Sequence, residues 1–453
     1  METKVVILAA GEGTRMKSAK PKVLHSCAGK SLVAWVAEAA EAVCSRPVVV
    51  VGSSGEAVRE ELSEEKFDFA LQAQRLGSGH AVMAAKEQIA GSEYTVVLAG
   101  DMPLIRGESI QSLVNSARGG RFSCMLLTGH VQNPKGYGRI IRDEHGNVLG
   151  VVEEKDASDF ERSICEVNVS VYCFKTEDLL YALGELKPAN AQGEYYLTDC
   201  VKILRDAGKK VGGQPVADII ECMGVNDRVQ LAEASCQMRR RINEAHMRAG
   251  VTMIDPAQTY VSPETTIGPD TILYPGVILE GSCKIGSGCT LYQGSRISDS
   301  EVKDGATVEN SVLQNAVVGK KTKVGPYAYL RPGTVLGDGC RVGDFVEIKN
   351  AMVGNGTKVS HLTYVGDAEL GEDINIGCGV VFVNYNGKQK FLTKVGNRAF
   401  IGCNTNLVSP VTVGEGAYIA AGATVTKDIP ADALCIARAR EVIKAGWAKG
   451  RYK

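Results

Sequence analysis

Aliphatic side chains recur at every sixth position through the second half of the chain, from Val261 to about Pro430. An α-helix repeats every 3.6 residues and a strand every two, so neither alone produces this spacing. Apart from slips at Val302, Val353 and Leu370 and one interruption at 383–394, the aliphatic positions are Val261, Ile267, Leu273, Leu279, Ile285, Leu291, Ile297, Val302, Val312, Val318, Val324, Leu330, Leu336, Val342, Ile348, Val353, Val359, Val365, Leu370, Ile376, Phe382, Val395, Ile401, Leu407, Val413, Ile419 and Val425. The sixfold period predicts short strands separated by regular turns.

The residue two positions before the aliphatic residue is usually small, as strand alternation predicts when each hexad contains a turn. Examples are Thr265, Cys283, Cys289, Ser295, Cys340, Thr357 and Ala423. Three hexads closing a triangular coil would direct both sets inward and stack coils at about 4.8 Å, the usual strand spacing. The pattern resembles the left-handed parallel β-helix of the hexapeptide acyltransferases. That resemblance supplies the handedness, because chemistry alone favours right-handed crossovers.

The first part of the chain lacks this repeat, and 453 residues are too many for one core. Apolar residues at three- and four-residue spacings between 227 and 250 predict an amphipathic helix that ends at Gly250. We therefore predict a domain at 1–226, a linker helix at 227–250, and a β-helix with a C-terminal tail at 251–453. The helix is expected to hold two catalytic units apart, and a partner-docking helix is the alternative.

Composition narrows the function further. The formal net charge is -1, which argues against a nucleic-acid or acidic-membrane surface. The apolar stretch at 5–10 is too short for a signal-peptide core, and no later stretch approaches twenty apolar residues. The fourteen cysteines contain no Cys-x-x-Cys pair, and several occupy the small inward slot of the repeat. These features predict a soluble, cytoplasmic protein whose cysteines are mostly buried and reduced.

A glycine loop follows the first strand, with the sequence Leu-Ala-Ala-Gly-Glu-Gly-Thr-Arg-Met at 8–16. Glycines let backbone N–H groups approach an anion, and Arg15 and Lys22 add the charge that a polyphosphate requires. The loop is not a Walker motif, and Met16 replaces the third glycine of a dinucleotide fingerprint. A tight strand-to-helix turn would explain the glycines but not the cations. The segment therefore predicts a phosphate site.

A candidate metal ligand follows the apolar strand at 94–99, in the sequence Gly-Asp-Met-Pro-Leu at 100–104. Asp101 would stand at the carboxyl end of a parallel strand, where ligands bind in open α/β sheets. A carboxylate beside phosphates suits Mg²⁺, which prefers oxygen ligands. The alternative is a turn aspartate before proline.

These motifs together resemble the nucleotide-sugar pyrophosphorylases. The match continues in Leu-Gln-Ala-Gln-Arg-Leu-Gly-Ser-Gly-His at 71–80, Gly-Tyr-Gly-Arg-Ile at 136–140, Val-Glu-Glu-Lys-Asp at 152–156 and Gly-Glu-Tyr-Tyr-Leu-Thr-Asp at 193–199. With the hexapeptide half, the whole chain is similar to the bifunctional N-acetylglucosamine-1-phosphate uridyltransferases and glucosamine-1-phosphate acetyltransferases of bacteria. This resemblance implies an α/β, Rossmann-like N-terminal domain with a mostly parallel sheet.

The resemblance also implies the residues of a uridyltransferase site. The uracil and phosphates of UTP would be held by Leu8, Ala9, Ala10, Gly11, Gln72, Gly77 and Ser78, with Arg15 and Lys22 as catalytic cations on the triphosphate. Gly138, Glu153 and Asn168 would contact the sugar, and Asp101 and Asn226 would hold Mg²⁺. Two departures from the family pattern, Val169 and Ala99, affect sugar contacts only.

Within the β-helix, the register itself locates a second site. Three hexads make one coil, so His361, Cys378, Cys403 and Ala421, each two positions after an aliphatic residue, should form one column on adjacent coils. The interruption at 383–394 falls between the coils of Cys378 and Cys403. Because a solenoid tolerates an insertion only as an outward loop, this loop should arch over the column or reach a neighbouring β-helix.

An imidazole in this column can take a proton from an amine that attacks a thioester, whereas a lone histidine would more often be a solvated surface residue. The resemblance makes His361 the general base and implies that Glu347 tunes it. The backbone N–H of Cys378 would stabilise the oxyanion. A rival mechanism is an acyl-cysteine intermediate, although a direct transfer needs neither Cys378 nor Cys403.

The same resemblance implies two sets of ligands in the acetyltransferase half. Glucosamine 1-phosphate would be bound by Arg331, Lys349, Tyr364, Asn375 and Lys390. Acetyl-CoA would be bound by Cys378, Asn384, Tyr385, Cys403, Ala421 and Arg438. Arg331 and Lys349 directly follow inward positions, so both point outward. Taken singly, each could instead be a solubilising charge.

The sequence therefore predicts a two-headed enzyme of UDP-N-acetylglucosamine synthesis. The family is trimeric, and the tail at 441–453, with Trp447, could reach a neighbouring subunit. Two alternatives stay open. One is a single-headed nucleotidyltransferase with a regulatory β-helix, as in ADP-glucose pyrophosphorylases, against which the outward loop and His361 argue. The other is a metal-binding β-helix like the γ-carbonic anhydrases, which needs several histidines where the repeats contain only His361.

Overall fold

The computed structural model describes residues 2–53 and 55–451. The chain divides into two compact units, Met1–Met238 and Arg239–Lys453. The boundary falls within a 21-residue helix, Arg228–Arg248, where the sequence predicts the linker helix. Its last turn is followed by Gly250, which adopts a positive φ of 100° that favours glycine.

The first unit contains one large β-sheet and one short hairpin. Its strands are β1 (Thr3–Leu8), β2 (Ser26–Cys27), β3 (Lys30–Ser31), β4 (Val48–Val51), β5 (Asp68–Leu71), β6 (Tyr94–Ala99), β7 (Cys124–His130), β8 (Arg139–Arg142), β9 (Val148–Val152), β10 (Glu166–Lys175) and β11 (Val211–Pro215). Within the described residues the sheet has the order β11-β7-β10-β6-β1-β4-β5, with β8 and β9 added beside β10. The short strands β2 and β3 form a separate hairpin.

The sheet is mixed, and along the path from β11 to β5 four of the six pairings are parallel, among them β4 with β5 and β7 with β11. β1 pairs in parallel with β4 and β6, so the three carboxyl ends meet at one edge, where the glycine loop and Asp101 follow. β10 runs antiparallel to β6, β7 and β8, and β8 runs antiparallel to β9. Both faces are apolar, because alternate residues of β1 pack into two different cores, Val5 and Ile7 into one and Val6 into the other.

Helices cover both faces of this sheet. They are α1 (Leu32–Ala40), α2 (Glu56–Leu62), α3 (Ser78–Ala84), α4 (Lys86–Ile89), α5 (Gly107–Gly119), α6 (Asp159–Arg162), α7 (Thr176–Glu185) and α8 (Asp199–Asp206), followed by α9 (Arg228–Arg248), with single 3₁₀ turns at Thr14–Met16, Lys22–Leu24, Ile219–Cys222 and Pro256–Gln258. No helix within 2–53 and 55–451 is long and apolar enough to cross a membrane.

The second unit is a coil of parallel strands. They are β12 (Thr252–Met253), β13 (Tyr260–Val261), β14 (Thr266–Ile267), β15 (Ile272–Leu273), β16 (Ile278–Glu280), β17 (Lys284–Ile285), β18 (Thr290–Leu291), β19 (Arg296–Ser298), β20 (Glu301–Val302), β21 (Thr307–Val308), β22 (Val312–Gln314), β23 (Val317–Val318), β24 (Lys323–Val324), β25 (Tyr329–Leu330), β26 (Val335–Leu336), β27 (Arg341–Val353), β28 (Lys358–Leu370), β29 (Asn375–Ile376), β30 (Val381–Val383), β31 (Thr393–Val395), β32 (Phe400–Ile401), β33 (Asn406–Val408), β34 (Val411–Val413), β35 (Tyr418–Ile419), β36 (Thr424–Val425) and β37 (Leu434–Cys435). The short strands generally pair with the third strand along, as the three-hexad coil predicts.

The predicted inward positions form the core of this coil with one correction. Leu279 pairs with Ile297 and that residue with Leu313, and all three are buried. Val312, which the simple sixfold count directs inward, is 41% exposed. The count fails there because the coil from Ile297 to Leu313 contains two five-residue steps and therefore holds 16 residues instead of 18.

The predicted interruption is an outward loop. β30 ends at Val383 and β31 begins at Thr393, so residues 384–392 leave the coil. An antiparallel bridge between Tyr385 and Lys390 closes the loop on itself. Asn386 supports the tip, because its Oδ1 accepts hydrogen bonds from the backbone N–H groups of Lys388 and Gln389, both at 2.9 Å.

Candidate active sites

In the glycine loop of the first unit, the absence of a side chain at Gly13 leaves space for Lys22. Gly13 has φ +63°, and a Cβ built on it would lie 2.3 Å from Cβ of Lys22. Any other residue at Gly13 would therefore displace Lys22 as well as strain the backbone. Ala9 and Ala10 are buried at the end of β1, whereas Gly11 and Arg15 are exposed. The loop thus exposes its glycine and its cation to a ligand.

Four polar residues from distant parts of the chain converge beside this loop. The ammonium of Lys22 contacts the carboxylate of Asp101 and lies 3.2 Å from Oδ1 of Asn226. Arg15 Nη2 donates to the same Asn226 oxygen at 2.9 Å. The backbone N–H of Val225 donates to the carbonyl oxygen of Asp101 at 2.9 Å, which fixes the two chain segments side by side. Both sequence-predicted cations therefore lie at the two sequence-predicted metal ligands.

The donor set fits Mg²⁺. Asp101 supplies a carboxylate and Asn226 a carbonyl oxygen, and both accept from one cation, the Lys22 ammonium. Hard oxygen atoms of this kind, completed by phosphate oxygens and water, are the ligands that Mg²⁺ prefers. Among the described residues no group of three or more His, Cys, Asp or Glu side chains forms a metal cluster.

A second loop contacts the glycine loop. Arg75 Nε donates to the carbonyl oxygen of Ala10 at 3.0 Å. Gln72 is 4% exposed, and its Nε2 donates to the carbonyl oxygen of Gly77 at 3.1 Å. Gly77 has φ +109°, and a Cβ there would lie 2.6 Å from the carbonyl oxygen of Tyr195. Arg75, which the sequence analysis did not single out, therefore joins the two predicted UTP-binding segments.

The predicted sugar ligands also lie together. The backbone N–H of Asn168 donates to the carbonyl oxygen of Gly138 at 2.8 Å, and a Cβ on Gly138 would lie 3.4 Å from Oε2 of Glu153. Thr198 Oγ1 donates to Oε1 of Glu153 at 3.2 Å. Burial raises the pKa of Glu153, and Asp199 adds to the rise, while the Thr198 hydrogen bond opposes it. A half-buried carboxylate held this way can accept hydrogen bonds from sugar hydroxyls.

Ser78, the last of the predicted UTP ligands, begins α3. Its Oγ accepts a hydrogen bond from the backbone N–H of Leu197 at 3.0 Å. Leu8 lies directly before the glycine loop and is partly exposed at the end of β1. The first unit thus places every sequence-predicted uridyltransferase residue along the carboxyl edge of the sheet or on the strands that border it.

In the second unit, the predicted column is present on one face of the coil. Ile376 pairs with Ile401 and Ile401 with Ile419, so the residues two positions later lie on adjacent coils. Cys378 and Cys403 are exposed, as are His361 and Ala421. Arg438 approaches the end of the column, with its Cδ 3.9 Å from a Cβ built on Gly422.

The carboxylate in contact with His361 is Asp344. Its Oδ1 lies 2.8 Å from Nδ1 of His361, and the two residues pair directly between β27 and β28. This hydrogen bond lowers the pKa of Asp344. Glu347 instead accepts from Nη1 of Arg331 at 2.7 Å and raises the pKa of that guanidinium. The sequence analysis missed Asp344, although the 17-residue coil between Arg341 and Lys358 is the signal that places it beside His361.

Two predicted phosphate ligands, Lys349 and Lys390, lie close together, and the charge of Asp367 only partly offsets the effect of one on the other. Lys349 lowers the pKa of Lys390 by its charge and proximity. Two adjacent ammonium groups repel each other, so an anion between them would relieve the repulsion. Tyr364 lies near this pair, since its hydroxyl acts on the pKa of Lys390, and Asn384 Nδ2 lies 3.4 Å from that hydroxyl.

Asn384 is fixed by a buried carboxylate. Asp367 accepts from Asn384 Nδ2 at 2.5 Å and from Asn350 Nδ2 at 2.6 Å. Asp367 is only 9% exposed, and the sequence analysis did not single it out. Asn375 lies on β29 in register with Lys358, and Tyr385 stands exposed in the outward loop. The structure therefore places these predicted ligands around the His361 column or in the adjoining loop.

Family models match both units. The model described as "MobA-like NTP transferase domain" matches residues 5–163. The model described as "Bacterial transferase hexapeptide (six repeats)" matches residues 264–299, 315–350 and 392–427. Among solved structures, a UDP-glucose pyrophosphorylase complexed with UDP-glucose covers 53% of this chain and 100% of that chain at 19% identity and a TM-score of 0.45, too low a similarity to bear on the fold or substrate.

Curated relatives match nearly the whole chain. "Bifunctional protein GlmU" of Clostridioides difficile (strain 630) is 50% identical over 450 residues, which are 99% of this chain and 98% of the relative. The protein of the same name from Acetivibrio thermocellus is 50% identical over 98% of this chain and 96% of the relative. That from Halalkalibacterium halodurans is 48% identical over 97% of both. The chain therefore belongs to the GlmU family, bifunctional uridyltransferases and acetyltransferases of UDP-N-acetylglucosamine synthesis.

Proposed function

We propose that the two halves of this reaction sequence take place at the two sites described above. The second unit acetylates glucosamine 1-phosphate with acetyl-CoA. The first unit then joins N-acetylglucosamine 1-phosphate to UMP from UTP and releases pyrophosphate. The convergence of Arg15 and Lys22 on Asp101 and Asn226 carries the assignment for the first unit, because opposed cations and oxygen ligands suit a triphosphate and its metal ion.

In uridylyl transfer, a phosphate oxygen of the sugar phosphate attacks the α-phosphorus of UTP. A new P–O bond forms as the bond to pyrophosphate breaks, and negative charge accumulates on the leaving group. Lys22 and Arg15 stabilise that charge. Asp101 and Asn226 would hold Mg²⁺, which supplies further neutralisation of the phosphate oxygens when bound.

The remaining residues of this site bind and orient the substrates. The segment from Leu8 to Gly11 and the loop with Gln72, Gly77 and Ser78 bind the nucleotide. Gly138, Glu153 and Asn168 bind the sugar, with the Glu153 carboxylate accepting from sugar hydroxyls. Holding both substrates in line with the scissile bond removes much of the entropic part of the barrier.

In acetyl transfer, His361 is the general base. The amine nitrogen of glucosamine 1-phosphate attacks the thioester carbon, and His361 takes a proton from that nitrogen. The backbone N–H of Cys378 stabilises the oxyanion. The C–S bond then breaks, and the CoA thiolate takes up a proton. Because both thiols can remain outside this path, the transfer is direct.

The charge pattern of the second unit supports a phosphate subsite. Arg331, Lys349 and Lys390 bind the phosphate group of glucosamine 1-phosphate, with Tyr364 and Asn375 on the sugar. The closeness of the two ammonium groups of Lys349 and Lys390 favours an anion there. Acetyl-CoA occupies the column of Cys378, Cys403 and Ala421, bordered by Asn384, Tyr385 and Arg438.

We further propose a cytoplasmic homotrimer with a bound Mg²⁺. In the part of the chain that the structure describes, none of the fourteen cysteines forms a disulfide, which suits a reducing compartment. The C-terminal tail exposes Val442, Ile443 and Trp447, and apolar side chains exposed to this extent suit burial against another subunit.

A one-pot assay tests the proposed order of reactions. With UTP, Mg²⁺ and glucosamine 1-phosphate, pyrophosphate release should require acetyl-CoA and should follow CoA release. Supplying N-acetylglucosamine 1-phosphate should remove that requirement. Pyrophosphate release from glucosamine 1-phosphate at the same rate without acetyl-CoA would contradict the order, and absence of CoA release would contradict the acetyltransferase assignment.

A further inference from the structure

The partner of His361 on the neighbouring coil is the strongest unassigned feature of the acetyltransferase unit. Asp344 and His361 are directly opposite each other on β27 and β28, with 2.8 Å between Oδ1 and Nδ1. The parallel strands on either side fix the backbones of both residues. The pair is therefore set by the coil register, and it lies on the exposed face that carries Cys378 and Cys403.

This contact determines which ring nitrogen of His361 is free. An ionised carboxylate can only accept a hydrogen bond, so Nδ1 of a neutral His361 must carry the hydrogen. The hydrogen bond lowers the pKa of Asp344, so this carboxylate is ionised near neutral pH. The lone pair of His361 is then on Nε2, the nitrogen that faces away from Asp344.

The other charged groups nearby do not supply this contact. The Glu347 carboxylate is bound to Arg331, and that pair lies three residues further along β27. Arg341 acts on Asp344 only as a weaker charge. The column residue on the other side of His361 is Cys378, because Val359 pairs with Ile376. Asp344 is thus the carboxylate placed to orient the imidazole.

We propose that Asp344 is a positioning residue for acetyl transfer, which holds His361 as the Nδ1–H tautomer with Nε2 directed at the substrate amine. This inference rests on the proposed role of His361 as general base. As the C–N bond forms, Nε2 takes the proton from the amine nitrogen, and Asp344 stabilises the resulting imidazolium without itself being protonated. The imidazolium then returns that proton to the CoA sulfur as the C–S bond breaks, so protons and electrons balance.

The test compares Asp344→Ala with Asp344→Asn and Glu347→Gln in the full chain. Asp344→Ala should lower kcat for acetyl transfer by about 10-fold to 100-fold, as for other partners that orient a functional histidine. KM for glucosamine 1-phosphate should not change. Asp344→Asn should lose less of kcat than Asp344→Ala, because its carbonyl oxygen can still accept from Nδ1–H although its neutral amide does not stabilise the imidazolium as a carboxylate does. Glu347→Gln should instead raise KM for glucosamine 1-phosphate through Arg331.

A spectroscopic measurement separates orientation from a merely structural role. Selective ¹⁵N labelling of the six histidines, with His361→Gln to assign the signal, reports which ring nitrogen carries the proton. The wild-type chain should show the Nδ1–H tautomer at a pH where His361 is neutral, and Asp344→Ala should shift the ring toward Nε2–H. Uridylyl transfer in the same preparations should be unchanged, which shows that the first unit is intact, and an unchanged KM for glucosamine 1-phosphate in the Asp344 variants shows that the second unit is folded.

Several results would overturn the inference. An Nε2–H tautomer in the wild-type chain would do so without any variant, even if Asp344→Ala failed to fold. Full acetyl transfer by Asp344→Ala, or a loss of kcat with no change of tautomer, would also do so. If His361→Gln lost acetyl transfer while Asp344→Ala kept it, only the role of Asp344 would be wrong. Full activity of His361→Gln would instead contradict the proposed function itself.

Discussion

Lys22 Nζ lies 3.2 Å from Oδ1 of Asn226, although 204 residues separate them in the sequence. Lys22 follows the first strand, and Asn226 stands just before α9. Asp101 contacts the same ammonium from the end of a third segment. The site therefore depends on the completed sheet, so a fragment with the glycine loop alone would lack it.

The first prediction concerns the space beside Gly13 that Lys22 occupies. Gly13→Ala would place a Cβ 2.3 Å from Cβ of Lys22 at a φ of +63°. Lys22 must move, and displacement of a catalytic group by about 1 Å can cost about 100-fold in rate. We expect uridylyl transfer, measured as pyrophosphate release, to fall by about that factor while acetyl transfer is unchanged.

A matched control is Gly184→Ala in α7, where nothing lies within 4 Å of the added Cβ. This variant should keep both activities, and its helical position should make the fold slightly more stable. Full uridylyl transfer by Gly13→Ala would show that the glycine loop does not position Lys22.

Glu153 makes a pH-dependent prediction. Burial raises its pKa above the ordinary 4.5, so its favourable contribution to folding is complete below pH 4.5 and is lost as the pH rises through the raised value. Above that pH the buried charge opposes folding. Glu153→Gln should therefore raise the unfolding temperature at pH 7 but not at about pH 4. The same variant should weaken sugar binding.

Glu154→Gln is the control, and the expected change in its unfolding temperature at pH 7 has the opposite sign. The hydrogen bond from Arg139 lowers the pKa of Glu154. The favourable contribution of Glu154 to folding is therefore present above its ordinary pKa and is lost as the pH falls through the lowered pKa. This variant should lower the unfolding temperature at pH 7, where it leaves the buried Arg139 without its 2.7 Å carboxylate partner. Equal changes in the unfolding temperature of Glu153→Gln and Glu154→Gln at pH 7 would contradict the opposite directions of the two pKa shifts.

The thiols of the column make a third prediction. Cys378→Ala keeps its backbone N–H, and Cys403→Ser keeps a small polar side chain, so both should retain most of the acetyl transfer measured by CoA release. Mass spectrometry of the wild-type chain during turnover should show no acetyl thioester. Loss of activity in either variant, together with a trapped acetyl-cysteine, would establish the covalent route instead.

The cation pair makes a fourth prediction. Lys349→Met should raise KM for glucosamine 1-phosphate and leave KM for acetyl-CoA unchanged, because Lys349 and Lys390 share the phosphate. Increasing the salt concentration should reduce the difference in KM for glucosamine 1-phosphate between this variant and the wild type. Lys284→Met, an exposed lysine on β17, is the control and should leave both values unchanged. A change in KM for acetyl-CoA alone would assign the pair to the cofactor.

Much of this organisation could be predicted from the sequence because its signals are local or periodic. The sixfold repeat gave the coil, the column of Cys378 and Cys403, and the outward loop at 384–392. Contacts that depend on an irregular step could not be predicted. Val312 faces outward and Asp344 meets His361 because some coils contain 16 or 17 residues, and the slips in the sixfold count show that a coil is short without showing which side chains it brings together on adjacent coils.

The central claim is that two independent sites perform the two reactions. The most direct test measures pyrophosphate release and CoA release in parallel for Asp101→Ala and His361→Ala. Asp101→Ala should abolish pyrophosphate release and keep CoA release. His361→Ala should lower CoA release by about 10²–10⁴-fold, the usual contribution of a general base, and keep pyrophosphate release from N-acetylglucosamine 1-phosphate. Loss of both activities in either folded variant, or of neither, would contradict the claim.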